Sequence, residues 1–62
     1  MPISGKEMLR RYVRAGWVVL NRRGSHVKVG KGGLREVIPM HPELKKGLEH
    51  KLLRRIQDED QR

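Results

Sequence analysis

The sequence predicts a small α+β domain in the order helix, strand, strand, strand, helix. Apolar residues recur at helical spacing near both ends of the chain, and the three short stretches between them have the composition or the alternation of β-strands. The strand connections are only a few residues long, which requires antiparallel neighbours. We therefore expect a two-layer sandwich: a three-stranded antiparallel sheet with both helices on one face and the other face open.

The first helix is expected over about 4–15. Ser4 and Glu7 have the spacing of a capping box, in which the serine side chain accepts a first-turn N–H and the glutamate reaches back to the serine N–H. Gly16 ends the helix, because glycine adopts the left-handed conformation common at helix C-termini. The core-facing apolar stripe comprises Met8, Leu9, Tyr12 and Val13.

Three strands are expected over about 17–22, 26–29 and 34–38. A flexible glycine-rich loop over 30–33 joins the last two, and Pro39 closes the third strand because proline cannot donate a ladder hydrogen bond. In the middle strand, polar and apolar residues alternate, so the two valines face the core. His26 and Lys28 then point together to the open face, roughly 7 Å apart.

The second helix is expected over about 47–57, followed by a frayed tail over 58–62, because acidic groups near a helix C-terminus oppose the helix dipole. Its apolar stripe comprises Leu48, Leu52, Leu53 and Ile56. This order of elements matches the double-stranded-RNA-binding-like fold, although a fold alone does not establish a function.

Length and composition limit the classes of protein. The 62 residues fit a single domain, 1–62, whose 35% hydrophobic and 3% aromatic content predicts marginal stability and a stabilising partner. The absence of cysteine excludes disulfides, thiolate zinc sites and a thiol nucleophile, and is compatible with a reducing cytoplasm. With no long apolar stretch and no secretory signal, we expect a cytoplasmic protein without membrane contact.

The charge points to a polyanionic partner. Fifteen Lys and Arg against seven Asp and Glu give a net charge of +8, which creates a positive field around a small surface. Nucleic acid is the leading interpretation. Solubility alone, an acidic protein or a membrane surface are the alternatives.

Four short motifs occur in a characteristic order. Arg-Arg-Gly-Ser-His at 22–26 stands one strand after Gly-Trp at 16–17 and is followed by Pro-Met-His-Pro at 39–42 and Leu-Lys-Lys-Gly at 44–47. Together they resemble the HicA toxin family, from the first helix to about Ile56.

The resemblance implies a specific activity. HicA proteins are the toxins of type II toxin-antitoxin systems: mRNA interferases held inactive by a HicB antitoxin, with the catalytic histidine in Gly-Ser-His, here His26. The chemistry suits this residue, since RNA is cut without metal or cofactor when a base activates the 2′-hydroxyl, and imidazole titrates near neutral pH.

The neighbours of His26 are candidates for RNA phosphate contact. Lys28 can stabilise charge on phosphorus, Gly24 permits close backbone approach, and Ser25 can donate a hydrogen bond. The full set of candidates is Gly24, Ser25, Lys28, Arg22 and Arg23.

The other two histidines and the tryptophan are less specific. His41 is an accessory candidate with three open roles: an acid partner for His26, an RNA contact, or a turn residue before Pro42. His50 is expected on the helix surface, and three histidines without fixed ligand spacing predict no metal site. Trp17 is expected to fill the core rather than stack on a base, because this chain has only two aromatic residues.

The chain departs from the HicA family pattern at two places. Asn21 occupies a position that is often arginine, and Gly-Leu-Glu at 47–49 replaces the frequent Gly-Thr-Leu. The first change is expected to alter phosphate contact at that position, and the second to change where the last helix begins or how it is rotated. Neither change is expected to touch His26. The alternative functions are a non-catalytic RNA-binding module of the same fold and an interaction subunit for an acidic protein.

Overall fold

The computed structural model describes residues 2–60 and confirms the expected architecture. The helices and strands are α1 (Gly5–Arg14), β1 (Val18–Arg23), β2 (His26–Lys31), β3 (Leu34–Pro39) and α2 (Lys46–Asp60). The sheet has the order β1-β2-β3, and both pairs are antiparallel. Its middle strand is β2, which therefore has neighbours on both sides.

The start of α1 contains half of the expected capping box. The Ser4 hydroxyl oxygen accepts a hydrogen bond from the Glu7 N–H at 3.0 Å. The Glu7 carboxylate, however, pairs with Arg10 at 3.0 Å and Arg11 at 3.3 Å. The prediction that it accepts a hydrogen bond from the Ser4 N–H is therefore wrong. Oppositely charged partners one turn away attract that carboxylate. Gly16 ends the helix with a φ of +98°, as expected.

Both hairpin turns contain two residues, Gly24–Ser25 and Gly32–Gly33. In each, the first glycine has a positive φ, which is the pattern of a type II′ turn. The expected loop over 30–33 is therefore too long. Gly30 and Lys31 continue β2, since a tight turn needs only the two glycines that follow.

The core lies between the helices and one face of the sheet. Its buried side chains are Met8, Tyr12, Trp17, Val27, Val29, Ile38, Leu44 and Leu52. Trp17 is 1% exposed and meets the Tyr12 ring edge-on at 4.9 Å, which confirms its role in the core. Val13, expected in the stripe of α1, is 51% exposed. Successive helical residues point about 100° apart, so Val13 turns away when Tyr12 faces the core.

Helix α2 is longer than expected. It begins at Lys46 and continues to Asp60, so 58–60 are helical rather than frayed, while 61–62 lie outside the described residues. Adding a residue to an existing helix is far easier than starting one, and Glu59 lies one turn beyond Arg55, where opposite charges attract. Neither helix within 2–60 has the length and apolar content needed to cross a membrane.

A polar contact joins α2 to the buried face of the sheet. Glu36 on β3 is 6% exposed and pairs with Arg55 at 2.8 Å and Lys51 at 3.7 Å. Nearby, the Tyr12 hydroxyl donates to the Leu52 carbonyl at 2.8 Å. Burial, and secondly the charge of Glu36, raise the pKa of Tyr12, which keeps this hydroxyl protonated as a donor.

Candidate active site

The open face of the sheet carries the side chains that the sequence singled out. His26 and Lys28 are exposed while the alternating Val27 and Val29 are buried, as the sequence pattern predicts. A shallow depression of about 250 Å³ lies on this face. It is lined by Asn21, Arg23, His26, Lys28 and Val37, and we call it the open-face depression.

A β-bulge in β1 decides which residues line this depression. Val19 pairs with Val29 and Asn21 with Lys28, so Leu20 is one extra residue in β1. Because directly paired residues point to the same face, the bulge brings Asn21 onto the open face. Arg23, two residues further along, pairs with His26 and lies there too.

Arg22 is turned the other way. It pairs with Val27, whose side chain is buried beneath the helices, and it donates from Nε to the Gly24 carbonyl at 3.2 Å. The structure therefore does not bring Arg22 together with His26 and Lys28. Of the two expected arginines, only Arg23 lines the depression.

His41 lies next to His26. The two ring centroids are 6.4 Å apart and the ring planes meet at 73°. Pairing of Pro39 with His26 sets the end of β3 beside the start of β2. The chain is fixed there again by the Met40 N–H, which donates to the Ser25 carbonyl.

Helix α1 holds the same segment from its other side. The Gly5 N–H donates to the His41 carbonyl at 2.9 Å. A Cβ atom on Gly5 would lie 1.9 Å from the Pro39 carbonyl oxygen, so only glycine permits this approach. The backbone of His41 is thus positioned by two elements, while its side chain is exposed.

The remaining candidate residues are not among those that line the open-face depression. Gly24 and Ser25 form the exposed turn before His26, and the backbone of Gly24 is open, with no atom within 4 Å of an added Cβ. His50 is exposed on α2, away from the depression. Across residues 2–60, no three His, Cys, Asp or Glu side chains group as metal ligands.

A family model described as HicA toxin of bacterial toxin-antitoxin matches residues 5–57. The chain belongs to the HicA toxin family. It is thus the toxin of a toxin-antitoxin system, in a family that generally cleaves RNA and has a HicB-type antitoxin as partner. Comparisons with curated proteins and with solved structures gave no match.

The HicA match includes every residue of the open-face depression. Asn21, which stands where HicA proteins often have arginine, lines this depression together with Lys28 and Arg23. The bulge at Leu20 is the reason, and no residue pattern in β1 signals it. Val37 was also missed as a lining residue; its place follows from pairing with Lys28.

Proposed function

We propose that this chain is a metal-independent endoribonuclease that cleaves mRNA, with His26 as a proton-transfer catalyst. The observation that carries the proposal is the position of His26: an exposed imidazole in a depression that also contains Lys28 and Arg23. Membership of a family whose toxins generally cleave RNA supports the same reaction.

The reaction needs only groups that imidazole and RNA supply. A base removes the proton from the 2′-hydroxyl, and the 2′-oxygen attacks the adjacent phosphorus. The bond from phosphorus to the 5′-oxygen then breaks, and an acid protonates that oxygen. The products are a 2′,3′-cyclic phosphate and a 5′-hydroxyl, with no change in oxidation state. A well-placed acid or base contributes roughly 10²–10⁴-fold to the rate.

The charges around His26 suit a phosphodiester. Over residues 2–60, no carboxylate pairs with Lys28 or Arg23, so both cations are available to an anion. They would bind the RNA backbone and stabilise the charge that develops on phosphorus. The exposed backbone of Gly24 and the Ser25 hydroxyl can add hydrogen bonds to phosphate oxygens.

The direct test compares two histidines. Purified wild-type protein should cut RNA in the presence of EDTA, leaving 2′,3′-cyclic phosphate ends. His26→Ala should bind RNA with unchanged affinity and cut it at least about 100-fold more slowly. The matched control is His50→Ala, which removes an exposed histidine from α2 and should retain full activity. On induction in cells, only the His26 variant should relieve growth arrest.

A modified substrate isolates the chemistry from binding. RNA with a 2′-O-methyl group at the cleaved nucleotide keeps its phosphates but lacks the attacking hydroxyl, so it should bind and stay intact. If wild-type protein binds RNA with steep salt dependence and leaves it whole under every condition, the chain is a non-catalytic RNA-binding module instead. Cleavage by His26→Ala at the wild-type rate would remove His26 from the mechanism.

A further inference from the structure

We propose that His41 is a second catalytic residue and exchanges a proton with RNA at the same phosphodiester as His26. The inference rests on the proposed function and adds the partner that a single imidazole lacks. Cleavage takes one proton from the 2′-oxygen and gives one to the 5′-oxygen. These atoms lie on opposite sides of phosphorus, so two groups serve both transfers without either having to move.

The distance between the two rings is compatible with one imidazole acting as the base and the other as the acid. With ring centroids 6.4 Å apart, His26 and His41 are close enough for one phosphodiester to contact both imidazoles. Proton transfer requires a catalytic nitrogen within about 2.6–3.2 Å of its oxygen. A phosphodiester in contact with both rings would place one oxygen near each imidazole.

The ring nitrogens of both histidines are available to a substrate. Within residues 2–60, neither imidazole has a hydrogen-bond partner in the protein, and both residues are exposed. At His41 the backbone carries the structural contacts instead, through its carbonyl to Gly5 and through Met40 to Ser25.

Those backbone contacts also align the two histidines. Ser25 immediately precedes His26, and Met40 immediately precedes His41, so the hydrogen bond between Met40 and Ser25 links the two positions directly. The Gly5 N–H holds His41 from the opposite side. Catalytic groups held in this way need less ordering when substrate binds.

The test is a pH profile of cleavage for wild type, His26→Gln and His41→Gln. Two imidazoles that act as base and acid must be in opposite protonation states, so the wild-type rate should pass through a maximum as the pH is varied. His41→Gln should cut about 100-fold more slowly, and its profile should lose one of the two limbs. His50→Gln serves as control, and the melting temperature and RNA affinity of His41→Gln should match wild type.

A sulfur-containing substrate then assigns the roles. When sulfur replaces the bridging 5′-oxygen, the leaving thiolate needs no proton, so the variant that lacks the acid should recover cleavage and the other should not. The inference is overturned if His41→Gln stays within threefold of wild type, if it keeps both limbs of the profile, or if sulfur accelerates neither variant selectively. Failure of the proposed function itself looks different: wild-type protein would leave RNA intact.

Discussion

Charged side chains on the two faces of the sheet differ in burial and in ion pairing. On the buried face, the Glu36 carboxylate is 6% exposed and has two cationic partners. On the open face, Lys28 and Arg23 are exposed, and within residues 2–60 neither has an ion-pair partner in the protein. A buried charge destabilises the fold unless it is paired, whereas an exposed cation costs little. The open face therefore carries these unpaired cations at little cost to folding.

Strand β2 connects these two roles. Val27 and Val29 pack in the core, and His26 and Lys28, which alternate with them, face solvent. Because side chains alternate, each residue of this strand serves only one role. Substitutions on the two faces should therefore separate stability from activity.

The largest stability effect is expected in the core. Leu52→Ala removes a fully buried side chain of α2, which should lower the free energy of unfolding by about 2–5 kcal/mol. Thermal unfolding followed by circular dichroism measures this change. Cleavage should fall only with the folded fraction, so it should return to the wild-type rate at a temperature where the variant is folded. Persistent inactivity of folded Leu52→Ala would contradict the separation of the two faces.

A smaller effect is expected where α1 meets the site. Gly5→Ala places a Cβ 1.9 Å from the Pro39 carbonyl oxygen, and this overlap with backbone should cost about 1–3 kcal/mol. It also displaces the segment that carries His41, so cleavage should fall even in the folded variant. Thermal unfolding and cleavage are measured together.

Gly47→Ala is the matched control for this change. It makes the same substitution in α2, where nothing lies within 4 Å of the added Cβ. Alanine is the better helix former by about 1 kcal/mol, so this variant should be as stable as wild type or more stable. Equal behaviour of the two variants would show that the contact between Gly5 and Pro39 does not constrain the site.

The smallest stability effect is expected on the open face. Lys28→Ala should change the free energy of unfolding by no more than about 0.5 kcal/mol. It should weaken RNA binding. The slope of the logarithm of affinity against the logarithm of salt concentration should become shallower by about 0.7 for each lost contact to single-stranded RNA. Arg54→Ala is the control, since Arg54 is exposed on α2, which packs on the other face. If both variants lose the same affinity, binding follows net charge rather than the open-face depression.

The amino-acid sequence by itself determined the elements and the direction of most side chains. The Ser4 cap, Gly16, the alternation in β2 and the burial of Trp17 are local or compositional signals, and the structure bears them out. The motif around His26 also identified the family that the match over 5–57 establishes.

Only the tertiary structure decided how the site is assembled. His41 reaches His26 because Pro39 pairs with it and Met40 bonds to Ser25, and such register is a relation between strands that neither strand encodes alone. The bulge at Leu20 likewise exchanged the faces of Arg22 and Arg23. One inserted residue reverses every side chain beyond it, so a period-two pattern cannot predict the face of a residue past an unsignalled bulge.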